Sequence, residues 1–162
     1  MDQTHIHLVI THLPIFGSIL GAIVLAYGLW SKSNETKIAA YVLFIISSVG
    51  AGIAYLTGEA AEESVEHLQG ILEVTIERHE DFAIYALVSL IVLGVACILG
   101  IGLTLRKSLA TRKVAFVIFL ISLVSFGLVA RTGFLGGQIR HSEIVKGATT
   151  TIYNTESASD DD

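Results

Sequence analysis

Four apolar runs divide the chain, over residues 6–30, 38–57, 82–105 and 114–135, with short polar stretches between them. None alternates with the two-residue period of a barrel strand. Each reaches the roughly 20 residues a helix needs to cross a hydrocarbon core. In lipid a spanning segment must satisfy its own backbone, so each run is expected to be an α-helix. The pattern predicts an all-α integral membrane four-helix bundle over residues 1–147. A polar, acidic tail over 148–162 is expected to be flexible. The connection 58–81 is rich in helix formers, and Val65, Leu68, Leu72 and Ile76 recur at three- and four-residue steps. A surface helix, or extensions of spans two and three beyond the membrane, would each fit that pattern.

Charge in the connections adds an orientation. Lys32 and Lys37 flank the first connection, and Arg106, Lys107, Arg112 and Lys113 the third. The second carries Glu59, Glu62, Glu63, Glu66, Glu73, Glu77, Glu80 and Asp81 against Arg78 alone. By the positive-inside rule the basic connections are cytoplasmic, so the acidic connection and both termini lie on the outer, periplasmic side. A multi-pass protein of a bacterial inner membrane is expected.

Composition agrees with the hydrophobic pattern. The chain is 52% hydrophobic and only 15% charged, with a mean hydropathy of +0.70, outside the range of an ordinary soluble domain. No basic patch interleaves with aromatic residues, so a nucleic-acid partner has no support. Cys97, the one cysteine, lies inside an apolar run and reads as a small buried hydrophobe. The opening MDQTH lacks a basic n-region, so the first run is expected to be a retained helix. Glycines inside the spans permit close helix contact or leave room for a flat ligand. Ser47, Ser48, Ser122 and Ser125 are expected to bond their own helix backbones. There is no recognisable nucleophile–base–oxyanion set and no Walker-ordered glycine loop, so hydrolase and ATPase activities have no support.

The candidate chemistry is in the imidazoles. All six histidines, His5, His7, His12, His67, His79 and His141, fall in the outer half under this topology. On an ideal helix His5 and His12 share a face, whereas His7 and His12 diverge by about 140°. Pro14 can supply a bend, because its ring disturbs the bond toward Ile10. His12 is the deepest of the set. Arg131 lies about as deep, with Thr132 beside it, and is expected to face the bundle interior or a polar partner. Imidazoles converging from different helices beside an arginine suit haem b, whose iron takes two axial nitrogens and whose propionates pair with guanidinium. The competing chemistry is a non-haem Fe, Zn or Cu site built from the same histidines and nearby carboxylates, with Glu63 and His67 spaced i, i+4 on one face.

Several segments resemble a family of small four-helix bacterial membrane proteins, long catalogued only as a predicted membrane domain of unknown function. Its members open with an H-P-x-x-V-H-F-P-I pattern. His7, His12, Pro14 and Ile15 match in spacing, with Leu8 and Leu13 replacing the proline and phenylalanine. Thr57-Gly58 matches a T-G at the end of span two, and His79 a histidine at the start of span three. Gly136-Gly137 and His141 are similar to a closing G-G-x-L-V-Y-x-H-G pattern, shortened by about two residues, with Ser142 in place of the final glycine. The family is similar in layout to membrane b-type cytochromes, which implies electron transfer.

The expected function is therefore a membrane b-type cytochrome. His7, His12, His79 and His141 are the candidate axial ligands, for one haem or for two, and Arg131 is the propionate partner. The pairings His12 with His79 and His7 with His141 come first. The expected partners are the lipid bilayer and a periplasmic or membrane redox protein or quinol, with a homo-oligomer left open. The alternatives are a non-haem metal-binding protein using the same four histidines, and a cofactor-free structural or assembly subunit whose histidines cap helices.

Overall fold

The computed structural model describes residues 3–58, 60 and 73–140. His67, His141, Glu63 and the acidic tail lie outside the described residues. Among the described residues five helices follow one another: α1 (Gln3–Ile10), α2 (His12–Trp30), α3 (Asn34–Leu56), α4 (Glu73–Leu105) and α5 (Thr111–Arg140). They form four rods long and apolar enough to cross a membrane, His5–Trp30, Asn34–Leu56, Val74–Leu105 and Thr111–Gln138. The chain is a multi-pass, all-helical membrane protein.

The first rod is interrupted three residues before Pro14. Pro14 has no N–H to offer the Ile10 carbonyl, and the helix breaks at Thr11. Thr11 keeps helical dihedrals (φ −60°, ψ −21°), and its amide still bonds the His7 carbonyl at 3.1 Å. The result is an interruption within one rod rather than a loop. α4 begins at Glu73, well before the expected start at 82, so the end of the acidic connection is a helical extension of the third rod.

Two tight turns close the basic end. Ser33 caps α3, its Oγ accepting the Thr36 amide at 3.1 Å. α4 ends in a Schellman turn: the Ser108 amide bonds the Leu103 carbonyl and the Lys107 amide that of Thr104, both at 3.1 Å. Lys107 takes the left-handed position there, at φ 51°, and Lys32 does the same in the first turn at φ 57°. The Thr111 hydroxyl then ties α5 back to the Leu103 carbonyl of α4 at 3.2 Å.

Turns this short make consecutive rods antiparallel neighbours. α2 packs on α3, α3 on α4 and α4 on α5, and α5 closes the ring against α2. Leu25, Tyr41, Phe44, Leu90, Leu93, Cys97 and Ile118 fill the interior. Most other large apolar side chains point outward, as in a bundle whose solvent is lipid. Exposed Tyr27 and Trp30 stand at the basic end and exposed Tyr55 and Tyr85 toward the other, the positions of interfacial aromatic belts. Lipid is as apolar as leucine, so helix association here rests on close packing rather than on the hydrophobic effect. Gly21 allows such packing: a Cβ there would stand 2.6 Å from the Phe44 ring.

The serines divide. Ser47 bonds the Leu43 carbonyl at 2.8 Å and Ser122 that of Phe119 at 2.7 Å, each within its own helix. Among the described residues Ser125 Oγ, which is buried, has no hydrogen-bond partner, unlike the expectation for it. Cys97 is fully buried, as a small hydrophobe would be.

Candidate functional site

Two imidazoles gather at the end of the bundle opposite the basic turns. His7 leaves α1 toward the last turn of α3. Its Nδ1–H donates to the Ala54 carbonyl at 2.8 Å, with the Thr57 hydroxyl oxygen at 3.3 Å as a second acceptor. Carbonyls in the last turn of a helix lack a full set of intrahelical donors, so an imidazole is well used there. Thr57 Oγ1 donates in turn to the Ile53 carbonyl at 3.0 Å, which orients its lone pairs toward His7.

His79 repeats the arrangement on the other helical hairpin. From α4 its Nδ1–H donates to the Thr132 carbonyl of α5 at 3.0 Å. A carbonyl inside a helix already accepts from the amide four residues on, and the side chain at that position normally crowds its free lone pair. Here that position is Gly136. A Cβ on it would stand 3.1 Å from His79 Cε1 and 3.3 Å from Nδ1. Gly58 stands in the same relation to Ala54, and a Cβ on it would lie 3.7 Å from His7 Cε1. Each hairpin thus has one imidazole, one carbonyl on the facing helix, and a glycine four residues beyond that carbonyl.

These bonds assign the tautomer. A carbonyl only accepts, so Nδ1 carries the proton on both rings and Nε2 keeps its lone pair.

The other sequence candidates lie elsewhere. His12 is exposed on α2, its ring edge-on to Phe16 with centroids 6.1 Å apart. The break at Thr11 leaves it facing outward, and among the described residues no hydrogen bond or ring contact joins it to His79, its expected partner. His5 is exposed too. His141, the expected partner of His7, lies outside the described residues. Arg131 is exposed rather than turned into the bundle, its guanidinium 5.6 Å from the Phe82 ring centroid and 5.5 Å from that of Phe134. Aromatic faces supply the polar-compatible partner that depth demands of an arginine. Among the described residues no three His, Cys, Asp or Glu side chains are placed to hold a metal ion together.

Sequence reasoning missed the carbonyls of Ala54 and Thr132. Backbone acceptors have no side-chain signature, and the only trace they left was the glycine four residues after each.

Compared with family models, curated proteins and solved structures, the chain matches none.

Proposed function

We propose that the protein is a membrane b-type cytochrome in which His7 and His79 are the axial ligands of a haem at the outer end of the bundle. One observation carries this reading: both imidazoles commit Nδ1–H to a carbonyl of the facing helix, which leaves Nε2 as the nitrogen with a lone pair. That is how metal-ligating histidines are oriented and made more basic. A bound haem would supply one-electron redox chemistry at that point. The chain's own residues hold the two rings: the Ala54 and Thr132 carbonyls set tautomer and orientation, and Gly136 keeps the edge of the His79 ring clear. Arg131 neighbours Thr132 in sequence and is the nearest cation along α5 for a propionate.

The donor set favours haem over a non-haem ion. Haem needs two axial nitrogens from the protein, whereas a protein zinc or copper site generally needs three or four ligands. A purely structural role explains the hydrogen bonds less well. An interhelical hydrogen bond in a membrane is worth only about 0.6 kcal/mol on average, and any small donor would make it. Histidine is distinguished by the nitrogen left over.

The loop charges support an outer position for the pair in a bacterial inner membrane. Electrons would then pass to or from a periplasmic or membrane partner or quinol. The test is a reduced-minus-oxidised visible spectrum of protein purified after haem-replete expression. A cytochrome b spectrum is expected, and a flat spectrum with no bound porphyrin overturns the reading.

A further inference from the structure

At the basic end of the bundle a shallow groove of about 800 Å³ opens between α2 and α5. Ala26, Leu29, Phe116 and Phe119 make its apolar walls, and Arg112 and Lys113 stand beside them. Both cations are exposed, and among the described residues neither side chain has a hydrogen-bond or ion-pair partner. No carboxylate lines the groove. The nearby Glu35 is turned to its own helix start, where it accepts the Ser33 hydroxyl at 3.0 Å. Arg112 and Lys113 also lie in the first turn of α5, whose macrodipole adds positive potential. Trp30, 80% exposed, stands at the groove as an interfacial anchor.

We propose that this groove binds an anionic phospholipid of the surrounding bilayer, with an acyl chain along the apolar walls and the headgroup phosphate between Arg112 and Lys113. The combination selects the occupant. The walls alone would accept any chain, and the cations alone any anion, but the two are joined at the level where a lipid joins its own tail to its phosphate. A protein helix seated here would bury two cations without partners, a cost its packing would have to offset. The site lies at the opposite end from the two histidines and does not depend on what they bind.

Trp30 is the chain's one tryptophan, so it reports on the groove directly. The protein is reconstituted in phosphatidylcholine vesicles containing the same minor fraction of either brominated phosphatidylglycerol or brominated phosphatidylcholine, and Trp30 quenching is compared. Two cations beside one phosphate favour the anionic lipid by roughly 30-fold, so quenching by the brominated phosphatidylglycerol is expected to be clearly greater. The double variant Arg112→Gln/Lys113→Gln is expected to lose this excess while keeping its quenching by brominated phosphatidylcholine. The variant Arg106→Gln/Lys107→Gln, which removes the same charge at the same end outside the groove, is expected to keep the excess. Equal quenching by both lipids in the native protein overturns the proposal. So does an excess that survives in the groove variant, or one that both variants lose alike, since the attraction would then be to the basic end as a whole.

Discussion

His79 on α4 bonds the Thr132 carbonyl on α5 at 3.0 Å, and the residue four positions after Thr132 is Gly136. His7, Ala54 and Gly58 repeat this relation between α1 and α3 at 2.8 Å. The first two rods and the last two are thus built alike at one functional detail, although their residues show no convincing internal repeat. The repeat is one of geometry: a donor ring, an acceptor carbonyl and a glycine four residues on, whose missing side chain matters most at His79.

If the two rings ligate a haem, they should be separable from the other histidines. His7→Ala and His79→Ala are each expected to abolish the reduced-minus-oxidised cytochrome spectrum while the protein still inserts and purifies. His12→Ala is expected to retain it, because that ring faces outward against Phe16. A spectrum lost with His12 and kept without His79 would return the ligand pair to the first span's deeper histidine.

The glycine beside each ring gives a second test that leaves the histidines in place. Gly136→Leu puts carbon where the His79 ring lies and breaks its bond to Thr132. Loss of such an orienting partner costs about 10–100-fold in affinity for the bound group, measurable by haem titration of the apoprotein. Gly127→Leu on the same helix, with nothing within 4 Å of its Cβ position, is expected to bind as the native protein does.

Close packing of α2 on α3 makes a prediction about stability. A Cβ on Gly17 would fall onto Ser47 Oγ and 3.3 Å from Ser47 Cβ. Gly17→Ala is expected to destabilise the bundle by about 1–3 kcal/mol, read by denaturation in mixed micelles. Adding Ser47→Ala should recover most of that loss, because the Ser47 hydroxyl bonds only its own helix. A double variant no more stable than Gly17→Ala would place the strain elsewhere.

Orientation can be read by thiol labelling. Cys97 is fully buried, and in a Cys97→Ala background single cysteines can report their side. His5→Cys is expected to react with an impermeant maleimide in intact spheroplasts. Lys32→Cys and Leu109→Cys, both exposed at the basic end, are expected to react only after permeabilisation. The reverse pattern would put the histidine pair on the cytoplasmic side.

The fold was largely legible from residue types. Span number and helical character follow from apolar length, because a backbone in lipid must satisfy itself within one segment. The break in the first rod at Thr11 was legible in Pro14, whose missing amide is a local property. The early start of α4 at Glu73 was not settled, since charged helix formers fit a surface helix and an extended rod equally well.

The site was legible only as a set of residues. The sequence by itself determined that imidazoles crowd toward one end of the bundle, because loop charge and helix length assign every residue a depth. It could not determine which of them face each other. That depends on the angle at which each rod presents its side chains, and therefore on packing among four helices at once. Packing turned His12 outward, set Arg131 between two aromatic rings, and brought His7 and His79 to the carbonyls of Ala54 and Thr132. Those carbonyls are common to every residue, so only the tertiary structure could distinguish the two that accept from an imidazole.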